Sequence, residues 1–262
     1  PTNQSGEAFN DGQAPVPDFA GGVVGSDNCS TNLLVTQLPA AGDPANLGTN
    51  SVIVTVSDSA GNSTNCTVTF VVSDTTAPTI TSCASNQQAE AVANGQAQVP
   101  DFTADVTASD NGGAPTITQS PLAGTFVGVG VTPVTITVAD NSGNSTNCAA
   151  SFTVVDTTAP TITACATNLT ADAGTNCTVA VPDFAGNVTA SDNGTLTITQ
   201  SPVAGTPVGA GLHLVTITVA DQSANSTNCT ASFTVADTTP PTITCPADKT
   251  VLAAPGDTNV VV

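Results

Sequence analysis

The chain has 262 residues, a hydrophobic fraction of 39% and a net charge of −19 at pH 7, with 20 acidic residues against a single Lys or Arg. So negative a chain repels phosphates, which argues against nucleic acid and anionic lipid as partners and favours cations, especially calcium. The apolar content argues against disorder, and no apolar run is long enough to span a membrane. We therefore expect a folded protein without membrane insertion.

Internal repetition organises the chain. The motif Val-Pro-Asp-Phe ends at Phe19, Phe102 and Phe184, and the motif Asn-Ser-Thr-Asn-Cys ends at Cys66, Cys148 and Cys229. Copies of the two motifs are 81 to 83 residues apart (19→102→184 and 66→148→229). A second set of phenylalanines recurs with the same period at Phe70, Phe152 and Phe233. We predict that these six rings form the centres of three small cores.

A predicted β-hairpin recurs in each repeat, and its second copy begins at Val134. Val and Ile alternate with Thr over 134–138, which is the period of a half-buried strand. The segment 140–144, Asp-Asn-Ser-Gly-Asn, has turn chemistry. The second strand places Cys148, Phe152 and Val154 on one face, and a Thr-Thr-Ala-Pro linker follows it.

Short strands fill the remainder of each repeat. In the third repeat we predict strands at 161–163, 177–184, 188–190, 196–200, 214–220 and 229–236, with a loop at 201–207. Many short strands separated by turn signals are typical of an immunoglobulin-like β-sandwich, and no segment has helical periodicity. The fold class predicted is therefore all-β, with tandem sandwich repeats of about 82 residues.

The Asp-Thr-Thr-Ala/Pro-Pro linkers separate the predicted domains. The first sandwich covers 1–76, with its N-terminal strand truncated, the second covers 77–158, the third covers 159–239, and 240–262 begins a fourth. Because the linkers are short and rich in proline, we expect a semi-rigid, extended rod. The two ends overlap in repeat phase, so the chain is interpreted as a slice of a longer array.

The eight cysteines lack zinc-type spacing and favour disulfides in an oxidising compartment. Within one sandwich the first and last strands begin near the same pole, which makes Cys83–Cys148 and Cys165–Cys229 feasible. For the first repeat we predict Cys29–Cys66, although the same scheme would pair Cys66 with a cysteine preceding Pro1. The rival scheme has Cys177 compete for Cys165. Linking each hairpin cysteine to the next repeat is disfavoured, because the linker separates the two positions.

Several motifs together resemble the hyalin repeat (HYR) module. They are the linker Asp-Thr-Thr-Pro-Pro-Thr-Ile-Thr-Cys-Pro-Ala at 237–247, Pro-Val-Gly at 207–209, the Ala-Asp-x-Ser-x-Asn turns and the Cys-x-x-x-Phe strand. This family is similar to immunoglobulin and fibronectin type III sandwiches. The resemblance implies an extracellular or cell-surface setting without catalysis, and it carries over no binding residues.

Acidic residues recur at the turns and linkers. Possible calcium ligands are Asp74, Asp156 and Asp237 at the linkers and Asp110 and Asp192 in Ser-Asp-Asn turns, while Asp58, Asp140 and Asp221 start the hairpin turns. The alternative is that each Asp only caps its turn, since the alternating oxygen ligands of an EF-hand are absent. No other cofactor is expected. Glycosylation sequons at the hairpin tips, Asn62, Asn144 and Asn225, are expected to be the most exposed ones.

Enzymatic readings find no support in the sequence. The single histidine, His213, is replaced by Thr132 in the second repeat, and no nucleophile–base set surrounds it. We predict a structural extracellular repeat protein that builds a fibre, appendage or surface filament from copies of itself, head to tail or laterally. The alternative is the stalk of an adhesin or calcium-dependent binding protein whose ligand-binding domain lies outside this chain.

Overall fold

A computed structural model describes residues 2–9, 12–250 and 255–256 of the chain. The described part is all-β, as predicted, with only short 3-10 turns besides strands: Ala20–Gly22, Ala93–Gly95, Thr103–Asp105 and Ala185–Asn187. Within it, no helix has the length and apolarity needed to cross a bilayer. Two compact units are present, one made of 1–158 with 193–195 and the other of 159–192 with 196–262.

The first unit starts with six strands from the first repeat. They are β1 (Gln4–Glu7), β2 (Gln13–Pro15), β3 (Leu34–Leu38), β4 (Pro44–Asn46), β5 (Gly48–Ser57) and β6 (Ser63–Ser73). Four of them form a sheet in the order β1-β6-β5-β3, in which β1 runs parallel to β6. The other two, β2 and β4, form an antiparallel pair.

The second repeat, in the same unit, has eight strands. They are β7 (Thr79–Ser82), β8 (Gln87–Glu90), β9 (Gln96–Gln98), β10 (Thr107–Ser109), β11 (Thr116–Ser120), β12 (Phe126–Gly128), β13 (Gly130–Ala139) and β14 (Ser145–Val155). The large sheet has the order β11-β13-β14-β8, again with one parallel pair, β8 with β14. Two small pairs, β7 with β10 and β9 with β12, complete the repeat.

The second unit contains the third repeat, with the same arrangement. Its strands are β15 (Thr161–Ala164), β16 (Leu169–Asp172), β17 (Thr178–Ala180), β18 (Thr189–Ser191), β19 (Thr197–Ser201), β20 (Pro207–Gly209), β21 (Gly211–Ala220) and β22 (Ser226–Ala236). The prediction contains neither the parallel strand β16 nor β20, which begins at the last residue of the predicted loop 201–207. The predicted strand 177–184 is shorter at both ends, since β17 covers only Thr178–Ala180. Cys177 has a left-handed φ of 55°, and the residues after Ala180 lead into the 3-10 turn Ala185–Asn187.

The hairpin prediction is confirmed in all three repeats. In the second, β13 pairs with β14 so that Ile136 lies opposite Cys148. Alternate β13 side chains, among them Val134 and Val138, are fully buried, which is the burial pattern the Val/Thr alternation predicts. At the turn, Asp140 accepts hydrogen bonds from backbone amides, as turn chemistry requires.

Each repeat has a separate hydrophobic core, and the six recurring phenylalanines lie in these cores. Phe19, Phe70, Phe102, Phe152, Phe184 and Phe233 are all at most 1% exposed. In the third repeat, the rings of Phe184 and Phe233 meet edge to face with centroids 6.4 Å apart. Burying such a ring stabilises a small core by several kcal/mol relative to Ala, about 3–5 kcal/mol in measured cases. The prediction that these rings are the core centres is therefore confirmed.

Candidate functional site

An acidic cluster lies where the first repeat joins the second, inside the first unit. Asp74 directly follows β6, Asp110 directly follows β10 and Asp140 directly follows β13. One carboxylate oxygen of each lies within 4.8 Å of the other two. Asp74 is only 7% exposed, and the other two are half-buried. Three strand ends therefore bring three negative charges together.

Two oxygens of this cluster, and one of Asn111 next to it in the chain, are buried and accept no hydrogen bond from the described residues. They are Asp74 Oδ2, Asp110 Oδ1 and Asn111 Oδ1. A buried polar atom without a partner costs about 1–3 kcal/mol, and more when it is charged. No lysine or arginine of the first unit offsets these charges, because the only one in the chain is Lys249. The buried oxygens and the like charges therefore fit a bound cation.

Each carboxylate also accepts a hydrogen bond from a backbone amide of its own turn. The bonds run from Thr76 N to Asp74 Oδ1 (3.1 Å), from Gly112 N to Asp110 Oδ2 (2.7 Å) and from Ser142 N to Asp140 Oδ1 (2.8 Å). Turn capping and cation binding are thus compatible at this site. The backbone orients each carboxylate, and at Asp74 and Asp110 one oxygen remains for a ligand.

Asp140 is kept ionised by its surroundings. Partial desolvation raises the pKa of this carboxyl, but hydrogen bonds from the side chain and backbone of Asn144 and from the amides of Ser142 and Gly143 outweigh it. The net result is a pKa below the ordinary value for aspartate. A cation ligand benefits from such a shift, because the charged form is the one that binds.

Amide side chains connect the two repeats around the cluster. Asn111 Nδ2 donates to the backbone oxygen of Ala8 (3.0 Å), and Asn144 Nδ2 donates to that of Asp74 (3.0 Å). Glu7 accepts a hydrogen bond from Thr75 N (2.7 Å) within the linker. The junction is therefore ordered by specific bonds on both sides of the acidic cluster.

Glycine is required beside the carboxylates. A Cβ on Gly112 would lie 2.4 Å from Asp74 Oδ2 and 3.2 Å from Asp110 Oδ2. The first distance is far below any normal contact, so a side chain here would displace Asp74 from the cluster. The backbone of Gly112 therefore packs directly against the carboxylate of Asp74.

Comparison with known proteins identifies the family to which these repeats belong. The profile of the HYR domain matches residues 73–154 and 155–236, which together are more than half of the chain. The chain belongs to the HYR domain family. Hyalin from Lytechinus variegatus is 34% identical over 249 residues, which is 90% of this chain and 46% of that protein. Hyalin from Strongylocentrotus purpuratus is 38% identical over 212 residues, 76% of this chain and 17% of that protein. The chain thus spans less than half the length of these curated relatives.

Solved structures with some likeness include protocadherin gamma C5 EC1-3, at 13% identity and a TM-score of 0.35, covering 90% of this chain and 100% of that one. Sidekick-1 immunoglobulin domains 1-4 are 10% identical with a TM-score of 0.34, covering 90% of this chain and 74% of that one.

The structure brings some of the predicted calcium ligands together and leaves others apart. Asp74 and Asp110 are brought together, whereas Asp237 is exposed and accepts a hydrogen bond from Thr239 N. Asp156 belongs to the first unit and Asp192 to the second. The sequence predicts Asp140 only as the start of its turn and does not single out Asn111, whose Oδ1 is buried without a partner. The recurrence of Ser-Asp-Asn in every repeat was the available signal for Asn111.

Disulfides close the second and third HYR repeats. Cys83 is bonded to Cys148 and Cys165 to Cys229, with Cα atoms 6.2 and 6.1 Å apart. These are the pairs expected within one sandwich. The prediction of Cys29–Cys66 is wrong, since both are unpaired and exposed, as are Cys177 and Cys245. Cys66 occupies the position of Cys148, whose partner precedes the parallel strand, whereas Cys29 occupies the position of Gly112 in the Ser-Asp-Asn turn.

The hairpin-tip asparagines are less available than predicted. Asn62 is exposed, but Asn144 and Asn225 are only half-buried rather than free at a tip. In all three, Nδ2 donates to the Asp that starts the turn, at 2.7–2.8 Å. A glycan attached to this nitrogen would displace these bonds. Asn62 therefore remains the most accessible of the three sequons. His213 is half-buried on β21, where Nε2 lies 2.8 Å from Gly209 O.

A glutamine that the sequence analysis does not single out organises each repeat; it is buried in the second repeat and half-buried in the first and third. Gln119 Oε1 accepts a hydrogen bond from Phe102 N (2.7 Å), and its Nε2 donates to Pro100 O and Pro121 O (3.0 Å each). Gln37 and Gln200 make the same contacts in the other repeats. The recurring pattern Gln-x-Pro was a signal in the sequence.

Proposed function

We propose that this chain is a structural segment of an extracellular protein, in which HYR repeats joined by calcium-bridged junctions build a fibre, appendage or surface filament. No catalytic role is part of this proposal. Membership in the HYR family supports a repeat protein, and the two disulfides fit an oxidising compartment. The relatives named Hyalin support the same class of repeat protein.

The observation that carries the proposal is the set of buried oxygens at the first junction. Asp74 is more than nine-tenths buried, and its Oδ2 has no donor among the described residues. The same cluster includes Asp110 and Asp140, and Asn111, next to Asp110 in the chain, has another buried oxygen without a donor, so every ligand atom offered is an oxygen. Oxygen-only sites with several carboxylates favour hard cations, and calcium tolerates the irregular geometry that loops provide.

A cation here would couple neighbouring repeats. Asp74 closes the first repeat, whereas Asp110 and Asp140 belong to the second, so one ion would contact both. Binding to the folded state alone stabilises it by mass action. Loss of the ion would leave three like charges close together and would loosen the junction.

Thermal unfolding with and without calcium tests the proposal. In excess chelator, Asp74→Asn is expected to match or exceed the wild-type melting temperature, because it removes one repelling charge. In millimolar calcium, the order is expected to reverse, since the variant has lost a ligand. The exposed Asp105 of the same repeat supplies a matched control, and Asp105→Asn should respond to calcium as the wild type does. A melting temperature of the wild type that does not change with calcium would contradict the proposal.

Electron microscopy of the purified chain tests assembly separately. Filaments with a fixed axial repeat are expected if copies of the chain associate. Separate strings at every concentration would contradict the fibre and favour the adhesin stalk, in which binding is performed by a different domain.

A further inference from the structure

An asparagine followed by glycine lies beside the acidic cluster of the first junction. Asn111 and Gly112 directly follow Asp110, and Asn-Gly recurs in the chain only at 94–95 and 193–194. In this dipeptide the backbone nitrogen of glycine can reach the side-chain amide carbon of asparagine, because glycine has no Cβ to hinder ring closure and adopts many backbone conformations. The sequence therefore places a chemically labile amide within the junction.

Both groups that would react at Asn111 are held by hydrogen bonds. Gly112 N, the attacking atom, donates to Asp110 Oδ2 (2.7 Å). Asn111 Nδ2, the atom that would leave, donates to the backbone oxygen of Ala8 in the first repeat (3.0 Å). Attack requires Gly112 N to lose its proton, and the negative charge of Asp110 beside it opposes the formation of a second anion. The intact junction therefore protects Asn111.

Asp110 connects this protection to the cation site. Its Oδ2 holds Gly112 N, while its Oδ1 is buried and has no donor among the described residues. Asp74 lies on the other side of the same glycine, since a Cβ on Gly112 would be 2.4 Å from Asp74 Oδ2. A cation that neutralises Asp74 and Asp110 keeps both carboxylates in place, whereas their repulsion displaces them when the cation is absent. Loss of the cation therefore releases Gly112 N.

We propose that Asn111 is a modification site of the junction, which deamidates when the cation is lost and thereby makes the loosening of the junction permanent. The inference rests on the calcium-bridged junction proposed above and adds a chemical regulation to it. Water is the only reagent that the modification requires, so the chain modifies itself without an enzyme.

The reaction has two steps, and neither changes an oxidation state. First, Gly112 N forms a bond to Asn111 Cγ and the Cγ–Nδ2 bond breaks. The proton lost from Gly112 N leaves with the amide nitrogen as ammonia, and a succinimide ring remains. One water molecule then opens the ring. Attack of water at Cγ gives aspartate, whereas attack at the backbone carbonyl carbon gives isoaspartate, the usual major product, in which the main chain continues through Cβ.

Either product disturbs the junction. A carboxylate has no hydrogen to donate, so the bond to Ala8 O is lost and one more negative charge joins the acidic cluster. Isoaspartate also lengthens the main chain by one carbon before Gly112, whose backbone packs directly against Asp74. Because that contact leaves no space for a displaced backbone, isoaspartate moves Asp74 and weakens the cation site. Aspartate leaves the backbone and the other ligands in place.

Peptide mapping by mass spectrometry measures the conversion of Asn111. The purified chain is incubated at constant pH and ionic strength, either in millimolar calcium or in excess chelator. Asn111 should convert about tenfold or more slowly in calcium, because the cation shifts the opening equilibrium of the turn by that factor. In the urea-unfolded chain the two rates should be equal, since calcium acts through the fold. Equal rates in the folded chain would overturn the proposal.

Two variants connect the conversion to the cation site. Asp74→Asn removes a proposed ligand, so its rates of Asn111 conversion in calcium and in chelator should differ by less than about twofold. Asp105→Asn changes an exposed carboxylate of the same repeat and should keep the calcium dependence of the wild type. A wild-type calcium dependence in Asp74→Asn would contradict the link between the cation site and the protection of Asn111.

Thermal unfolding of the aged chain tests the consequence. After incubation in chelator and return to calcium, the calcium-induced rise in melting temperature should decrease in proportion to the isoaspartate fraction at residue 111. Protein isoaspartate methyltransferase, which returns isoaspartate to aspartate, should restore the rise. Asn111→Asp supplies the other product and should melt below the wild type in chelator while keeping a rise in calcium. Asn111→Gln forms the cyclic intermediate far more slowly, so its rise should not decrease with age.

The outcomes separate this inference from the proposed junction. A melting temperature that rises in calcium, together with conversion of Asn111 at a calcium-independent rate, overturns the inference and leaves the junction standing. A melting temperature and a conversion rate that are both independent of calcium overturn the two together. An undiminished rise in a chain whose Asn111 has become isoaspartate overturns the inference as well, because the modification would then have no effect on the junction.

Discussion

The first and second repeats have the same large sheet and differ at one edge. In the second, β7 covers the core and Cys83 holds it to the hairpin, and Val138 is fully buried. In the first, the equivalent Val56 is half-buried and lines an open cleft. Phe70 is nevertheless 1% exposed. The hairpin and the parallel strand are therefore sufficient to bury the ring of Phe70. In the second repeat, β7 and the Cys83–Cys148 disulfide additionally cover the edge of the core.

The largest expected difference between the two repeats comes from the cysteines. Cys148→Ser removes a crosslink that closes a 65-residue separation, which is expected to cost about 4 kcal/mol in the chain-entropy model. Cys66→Ser, at the equivalent position, should change the stability of the monomer by less than about 0.5 kcal/mol, because its thiol is exposed and unpaired. Hydrogen exchange of β14 and β6 amides measures both effects. Equal losses in the two repeats would contradict this account.

The next effect concerns the recurring glutamines Gln119 and Gln37. Gln119→Ala leaves Phe102 N, Pro100 O and Pro121 O without their partner, which is expected to cost about 2–3 kcal/mol. Gln37→Ala should cost less, since Gln37 is half-buried whereas Gln119 is only 8% exposed. Urea unfolding of each variant, followed by protection of β11 or β3, checks the order. A larger loss at Gln37 would mean that exposure does not decide the cost.

A smaller effect distinguishes the two Ser-Asp-Asn turns. Gly112→Ala forces Asp74 to move, and we expect a loss of about 1–2 kcal/mol together with a weaker calcium response. Cys29→Ala, at the equivalent position of the first repeat, should be tolerated, because Cys29 is exposed. Calcium-dependent melting of the two variants provides the measurement. A normal calcium response in Gly112→Ala would exclude Asp74 as a ligand.

The smallest effect is expected at the hairpin turns, where the repeats are alike. The side chain and backbone of Asn62 donate hydrogen bonds to Asp58 and lower the pKa of its carboxyl. The pKa of the Asp140 carboxyl is also lowered. Carboxyls with a depressed folded-state pKa stabilise the fold above the unfolded value of about 3.9 and lose this contribution as the pH falls through the folded value. Asn62→Ala should therefore raise the pKa of Asp58, as observed by NMR titration. An unchanged Asp58 titration would contradict the assigned cause.

Local pattern explains which elements were predictable. The Val/Thr alternation and the Asp-to-Asn turns specify the hairpins, since both depend on residues close in sequence. The strand β8 was missed because its four residues, Gln87–Glu90, have little apolar pattern of their own and are held by parallel pairing with β14. Two carboxylates of the acidic cluster, Asp74 and Asp110, were predictable as ligands from recurring Asp residues, while the contribution of Asp140 depended on how three strand ends meet.

The sequence by itself determined the repeat period, the all-β class, the hairpins and the phenylalanines at the core, because periodic burial and turn chemistry are encoded locally. Only the tertiary structure decided that Gln119 joins two proline loops, and that Asp74 of one repeat meets Asp110 and Asp140 of the next. These outcomes depend on the register of strands far apart in the chain, and short-range pattern does not specify that register.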